Sequence, residues 1–131
     1  MLLHAPLPAR AALGVAGDDR QTFLQGLVSA DAAKVDAGHA RHAAFLTAQG
    51  RFLHEFFMVA VGETIHLDAE AARLDDLMRR LKMYKLRANV VIDKTDLKVS
   101  RGLGDLPSGA VADPRHPALG WRRYGVDPGV T

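Results

Sequence analysis

Apolar residues alternate along two runs in the middle of the chain and predict a β-hairpin. The runs are His42–Ala48 and Phe52–Val61, joined around Gly50, where glycine supplies the positive φ of a tight turn. Because side chains on a strand alternate between faces, Glu55 falls on one apolar face of the second strand and His54 on the other. A charge in such a setting needs a partner or a ligand. The pair therefore predicts a small-molecule site in this hairpin.

Two stripes of apolar residues at helical spacing predict two helices. The first is predicted to follow a strand at Ala12–Val15, to be capped by Asp18 and to run to about Ala30. The second is predicted to follow a strand at Thr64–Leu67 and to be capped by Asp68. Its apolar stripe consists of Leu74, Leu77, Met78 and Leu81. We therefore expect two amphipathic helices.

The last third of the chain carries four short runs typical of strands. They are Val90–Asp93, Leu97–Ser100, Val111–Asp113 and Trp121–Tyr124, and residues 94–96 are predicted to join the first two by a turn. Runs of strands separated by helices favour an α+β fold with a mainly antiparallel sheet. Residues 125–131, GVDPGVT, form no closing element, so we expect residues 1–131 to be the N-terminal part of a longer domain.

Composition indicates one ordinary globular domain. The chain has 131 residues, of which 48% are hydrophobic and 24% charged, and a formal net charge of +2. Without cysteine it forms no disulfide and no thiolate metal site. The sequence has no apolar run long enough for a membrane span and no basic, apolar leader, which predicts a cytoplasmic protein without a membrane partner.

A basic run and two histidines suggest binding chemistry that we weigh against simpler interpretations. Residues 79–87, RRLKMYKLR, hold five basic side chains and no acid. They would attract an anion, but the pairs Asp75–Arg79 and Asp76–Arg80 favour a solvated helix end, and direct nucleic-acid binding is not predicted. His39 and His42 lie three apart in a segment that enters a strand, where they face opposite sides, so we predict no metal site.

Four segments together resemble one protein family. They are Asp19–Asp31, Ala43–Val59, Leu77–Ile92 and Asp113–Arg122, in this order along the chain. In sequence they are similar to the N-terminal part of YgfZ-type folate-binding proteins, relatives of the glycine-cleavage aminomethyltransferase (T-protein). The resemblance implies half of a folate-binding pseudo-barrel, with two principal helices and with tetrahydrofolate or a derivative in a central channel.

The resemblance also implies which residues contact the folate. Aminomethyltransferases carry an Asp-Asp pair where this chain has His54 and Glu55, and Tyr84 and Arg87 lie where the second helix ends. These four are the predicted folate-binding residues, with Glu55 accepting a hydrogen bond from the ligand. No catalytic residue is assigned, because the family motif Lys-x-Gly-Cys-Tyr-x-Gly-Gln-Glu is not found in the chain.

The function that the resemblance implies is an accessory role rather than classical enzyme activity. YgfZ-type proteins are implicated in iron–sulfur cluster assembly or repair and thereby in tRNA modification, so iron–sulfur proteins and a C-terminal half are expected partners. A folate-dependent aminomethyltransferase is one alternative. The other is a non-catalytic remnant that associates with itself or with a partner through its exposed apolar surface and sheet edges.

Overall fold

The computed structural model describes residues 3–29, 32, 35, 39–46, 49–103, 106, 110–115 and 117–125. Within these residues the chain forms nine strands and two α-helices. In chain order they are β1 (Leu3–Pro6), β2 (Arg10–Ala16), α1 (Arg20–Gln25), β3 (Arg41–Leu46), β4 (Phe52–Val61), β5 (Thr64–Glu70), α2 (Leu74–Met83), β6 (Val91–Lys94), β7 (Lys98–Leu103), β8 (Ala110–Ala112) and β9 (Trp121–Gly125).

The strands form two antiparallel sheets. The larger sheet has the order β3-β4-β5-β2-β6 and the smaller has the order β1-β7-β9-β8. Neighbouring strands are antiparallel throughout, as the registers of all seven pairs of strands show. The α+β class with mainly antiparallel sheets and two helices is therefore confirmed.

Both helices cover one face of the larger sheet. In α2, Leu74, Leu77 and Leu81 are buried at the predicted spacing, and each fully buried leucine contributes about 1.5–3 kcal/mol. The strand residues in the same core include Leu13, Val15, Phe56, Met58 and Leu67. Strand alternation therefore directs the other side chains of β2, β4 and β5 to the opposite face.

That opposite face packs against the smaller sheet. Val59 of β4 forms a small apolar cluster with Ala40, Val111 and the partly buried Tyr124. Asp68 of β5 forms hydrogen bonds with side chains of β9 in the same layer. The space between the two sheets thus combines apolar and charged groups. No helix among the described residues is long and apolar enough to cross a membrane.

The first helix is shorter than the apolar stripe predicts and begins at a different residue. It spans Arg20–Gln25, and its N-cap is Asp19, not Asp18, without a capping bond from the side chain. The Asp19 carboxylate instead accepts a hydrogen bond from the backbone N–H of Asn89, at 2.7 Å. The helix ends early because the chain turns so that Val28 forms a β-bridge with Phe45.

Three further predictions about local structure are wrong. Asp68 does not cap a helix, because β5 continues to Glu70 and a 3₁₀ turn precedes α2. Strands β6 and β7 do not form a hairpin: Thr95 donates to the Ala12 carbonyl, and the chain then passes to the other sheet. Asp75 pairs with Lys94 rather than Arg79, although the Asp76–Arg80 pair is present. Residues 126–131 lie outside the described residues.

Candidate functional site

A cavity of about 320 Å³ opens between the two sheets. We call it the Phe57 cavity, and its aromatic and ionisable lining consists of Arg10, His42, Glu55, Phe57, Arg101, Arg115 and Arg122. Strands β2, β3 and β4 contribute the residues of the larger sheet, while β7, β9 and the segment before β9 contribute the remaining arginines. The cavity therefore exists only where the two sheets meet.

A buried carboxylate fixes the inner wall of the cavity. Asp68 has a fully buried side chain, and its Oδ2 accepts hydrogen bonds from Arg122 Nη2 at 2.6 Å and from the Tyr124 hydroxyl at 2.7 Å. Its Oδ1 accepts a hydrogen bond from Arg10 Nε at 2.9 Å. These bonds join β2 and β5 of the larger sheet to β9 of the smaller one. Charge-assisted bonds of this kind are stronger than neutral ones.

Three guanidinium groups surround the ring of Phe57. The Cζ of Arg122 lies 4.1 Å from the ring centroid, that of Arg115 4.9 Å and that of Arg10 5.7 Å. All three are within the range of a cation–π interaction. Arg115 is held in turn by Asp113, whose carboxylate oxygens accept from its Nε and Nη2 at 3.0 and 2.8 Å. Phe57 therefore organises the cationic wall.

The surroundings keep these groups in fixed protonation states. Burial raises the pKa of the Tyr124 hydroxyl, and the neighbouring Asp68 carboxylate raises it further, so the phenol remains a donor. Burial would raise the pKa of Asp113, but the hydrogen bonds from Arg115 outweigh it and lower that pKa. Tyr124 is therefore neutral and Asp113 ionised over the neutral range of pH.

Glu55, the first predicted site residue, lies at the rim of the Phe57 cavity. Its side chain is 54% exposed, and its Oε2 is 3.4 Å from His42 Nε2. The expectation of a buried charge is wrong, because β4 reaches solvent at this position. The carboxylate nevertheless remains accessible from the cavity, as binding of a ligand would require.

His54 lies on the helix-facing side of β4. It is buried, and its Nε2 is 2.7 Å from Asp76 Oδ2 of α2. Asp76 also accepts from Arg80 and Arg79, and the hydrogen bonds from Arg80, then His54 and then Arg79 lower the pKa of Asp76. His54 and Glu55 both line a separate recess of about 50 Å³, which has room for water but not for a pterin.

Tyr84 and Arg87 lie apart from Glu55. The Tyr84 ring is half-exposed, has its centroid 5.8 Å from that of Phe45, and lines a different cavity of about 350 Å³ with residues 26–29, Phe45 and Leu46. Arg87 is exposed in the segment after α2. The four predicted residues are thus distributed over both faces of the larger sheet. Among the described residues no group of histidines and acids could hold a metal ion.

Comparisons with known proteins show similarity to one group of proteins and to one fold. The chain is 32% identical over 132 residues to a mitochondrial iron–sulfur cluster assembly factor IBA57 homolog of Pyricularia oryzae, covering 88% of this chain and 34% of that protein. It is 27% identical over 153 residues to the mouse mitochondrial factor IBA57, covering 94% and 43%. The chain thus spans about a third of the length of the curated relatives it matches. No family model matches the sequence.

The structural comparison agrees with the architecture described above. The crystal structure of the glycine cleavage system aminomethyltransferase T from Bartonella henselae aligns with a TM-score of 0.67 and 16% sequence identity, over 77% of this chain and 28% of that chain. The chain has an aminomethyltransferase-like fold.

The same comparisons correct the predicted location. The relatives are named as mitochondrial proteins, so the prediction of a cytoplasmic protein is wrong. That prediction rested on the lack of a leader and of a membrane span, and neither observation identifies a compartment.

Within the aminomethyltransferase-like fold, the residues that sequence reasoning missed are those that join the two sheets. Arg10 and Tyr124 were assigned no site role, Asp68 was predicted only as a helix cap, and Arg122 belonged only to a segment of family resemblance. One signal was present in the sequence: Asp68 continues the alternation of a strand whose Ile65 and Leu67 belong to the helix-covered core. An acid at the next position faces the other side of the sheet, where it needs cationic partners.

Proposed function

We propose that this chain acts as an accessory factor in iron–sulfur cluster assembly and that it holds a reduced folate in the Phe57 cavity. The similarity to IBA57 proteins supports the first part, since those relatives are named as iron–sulfur cluster assembly factors. The YgfZ-like segments extend the proposal to tRNA modification, as a consequence of cluster supply. The compartment to which the names of the relatives point is the mitochondrion.

The observation that carries the folate proposal is a carboxylate at the rim of a cavity with an aromatic wall. The pyrimidine ring of a reduced pterin is planar and carries N–H groups. A carboxylate accepts hydrogen bonds from these groups, and an aromatic ring packs against the planar ring. Glu55 supplies the acceptor and Phe57 the ring. The volume, about 320 Å³, lies within the roughly 300–1,000 Å³ of small-molecule sites. We propose that His54 and Tyr84 stabilise the hairpin and that Arg87 makes a more distant contact with the folate.

A titration of the protein with 5-formyltetrahydrofolate tests the folate proposal. We expect weak binding to the 131-residue chain, because a cavity with openings to solvent encloses only part of the ligand. Glu55→Gln keeps the size of the side chain but removes its charge, and should weaken binding by about 1–3 kcal/mol. Glu63→Gln, in the exposed β4–β5 turn, is the matched control and should leave the affinity unchanged.

Two measurements separate binding from folding and from cluster chemistry. Thermal unfolding without ligand shows whether Glu55→Gln alters stability, and unchanged affinity in a stable variant contradicts the role of Glu55. Depletion of the protein in its host should lower the activity of iron–sulfur enzymes, with rescue by the wild-type gene. Normal activity of those enzymes after depletion would exclude the accessory role, whatever the result of the titration.

A further inference from the structure

The Phe57 cavity carries more positive than negative groups. Its guanidinium groups, from Arg10, Arg101, Arg115 and Arg122, are accompanied by three carboxylates that line the cavity or bind these groups: Glu55, Asp68 and Asp113. Glu55 is the most exposed of the three, and it also faces His42. The register partner of Arg10 on β5 is Glu70, which is exposed. The inner part of the wall, formed by Arg10, Arg122 and Asp68, is therefore cationic.

The excess of positive charge is greatest where the wall is most buried. Asp68 is completely buried, and it faces two arginines whose side chains are 4% and 19% exposed, Arg122 and Arg10. The hydroxyl of Tyr124 adds no charge, because it is the neutral donor to the same carboxylate. A buried charge without a counter-charge is costly, since water can no longer solvate it. This trio therefore lacks one negative charge.

The donors that face the cavity are incompletely used. Arg10, Arg115 and Arg122 each donate through Nε and Nη2 to a carboxylate or carbonyl. In the part of the chain that the structure describes, no hydrogen bond involves Nη1 of any of the three. Arg101 donates through Nη2 to the carbonyl of Leu119. Each guanidinium thus keeps N–H groups available to a ligand while its orientation is already fixed.

We propose that the cationic wall of the Phe57 cavity is a binding site for an oxyanion, either a carboxylate or a phosphate group. A guanidinium matches the planar or tetrahedral array of oxygens in these groups, and a fixed guanidinium loses little freedom on binding. The ligand supplies the negative charge that the buried trio lacks. The site differs from the contact proposed for Glu55, whose carboxylate accepts a hydrogen bond from the ligand at the rim of the same cavity.

Two sources of the anion share this chemistry. One is a γ-linked glutamate chain, which would come with a folate, and the other is a free or esterified phosphate. Inorganic phosphate and tri-γ-glutamate are therefore the probes, each titrated into the 131-residue chain at constant ionic strength and followed by calorimetry and by NMR of the arginine Nε–H groups. We expect saturable binding of at least one probe and displacement of one by the other if both bind.

Arg101→Gln is the informative variant. Within the described part of the chain its guanidinium has a single hydrogen-bond partner, a backbone carbonyl, so its removal leaves no buried carboxylate unpaired there. It should weaken binding of the anion about tenfold or more, the effect of losing one charge-assisted contact. Arg101→Lys should restore part of the affinity. Arg41→Gln is the matched control: it removes the same charge beside His42 but on the helix-facing side of β3, and should change affinity less than about twofold.

The outcomes separate this inference from the proposed function. Saturable binding of phosphate or triglutamate that depends on Arg101 supports the oxyanion site, even if 5-formyltetrahydrofolate does not bind. Binding of that folate without any response to either anion or to Arg101→Gln overturns the oxyanion site and leaves the folate proposal intact. Failure of both probes to saturate, or equal weakening by Arg41→Gln, also overturns it.

Discussion

At the scale of single residues, Asp68 of β5 joins the two sheets by binding side chains from two other strands. Its partners Arg10, Arg122 and Tyr124 come from β2 and β9, and no backbone hydrogen bond of a sheet ladder links those strands to each other. The geometry of the Phe57 cavity therefore depends on one carboxylate. Changing that residue should affect both the stability of the fold and the wall of the cavity.

We expect Asp68→Asn to lower the free energy of unfolding by about 3–5 kcal/mol, because two buried guanidinium groups lose their counter-ion. Urea denaturation followed by circular dichroism measures the change. Asp75→Asn is the control, since its carboxylate is 78% exposed and pairs with Lys94 at the surface; its effect should stay within about 1 kcal/mol. Equal effects of the two variants would contradict the structural role of Asp68.

His66 makes stability depend on pH. It is buried on β5, its Nδ1 has no hydrogen-bond partner among the described residues, and burial lowers its pKa below the ordinary value of 6.5. The unfolded chain therefore binds a proton near pH 6.5 that the folded protein takes up only at lower pH. The contribution of neutral His66 to the free energy of unfolding is therefore fully present above pH 6.5 and is lost as the pH falls towards the pKa of the folded protein.

His66→Leu should remove this dependence. The free energy of unfolding of the wild type should fall between pH 7.5 and pH 5, whereas that of the variant should fall less over the same range. At pH 7.5 we expect the variant to be as stable as the wild type or more so, because an unsatisfied polar atom is replaced by an apolar group. Parallel pH curves for the two proteins would show that other groups cause the slope.

At the scale of elements, the turn from β2 into α1 requires glycine. Gly17 has φ of +107°, and a Cβ there would collide with the backbone carbonyl of Asn89. Gly17→Ala should destabilise the fold by about 1–3 kcal/mol from backbone strain, and the collision adds to this. Gly62 also has a positive φ, of +62°, but a Cβ there would meet no atom within 4 Å. Gly62→Ala should therefore lower the free energy of unfolding by about 1–2 kcal/mol. Thermal unfolding of the two variants compares them directly; a smaller effect at Gly17 contradicts the collision.

The elements also show what sequence patterns predict and what they miss. The β3–β4 hairpin and α2 follow from the sequence pattern alone, because α2 buries one face and the central apolar run of β4 is buried on both faces. The ends of α1 and the role of Asp68 do not follow from the pattern. They depend on tertiary contacts with Asn89 and Arg122, which lie distant in sequence. Glu55 was found in sequence for its unusual setting, but its exposure depends on which part of β4 the second sheet covers.

The candidate site was predicted only in part, for the same reason. The sequence identified the rim of the cavity through Glu55. It did not identify the arginine wall, because Arg10, Arg101 and Arg122 have no common spacing and come together only when β7 and β9 of the smaller sheet pack against the larger sheet. A site built from two sheets leaves no local pattern.

At the scale of the whole molecule, exposed apolar side chains favour self-association. Met83, Tyr84, Leu86 and Val91 are between 50% and 88% exposed, and Leu86, the most exposed, has a positive φ of 43°. Leu86→Asn removes apolar surface and introduces a residue that tolerates this backbone conformation. We expect light scattering to show concentration-dependent association of the wild type, reduced in this variant, and thermal unfolding to show equal or higher stability.

The matched control for that variant is Val61→Asn, which removes an apolar side chain that is 42% exposed at the end of the β4 strand. It should leave association unchanged. A wild-type protein that stays monomeric across a wide concentration range would contradict self-association altogether.

The sheet order has a consequence for synthesis on the ribosome. Strands β3, β4 and β5 are consecutive neighbours, so they are able to pair as they emerge. Strand β1 is able to pair only after β7 has been synthesised, because Leu3 pairs with Leu103 on β7. Throughout that interval β1 of a nascent chain lacks its partner strand, and unpaired strand edges recruit wrong partners. The β3-β4-β5 ladder is therefore complete in synthesis before the smaller sheet is able to form, because β1 pairs only after β7 has been made.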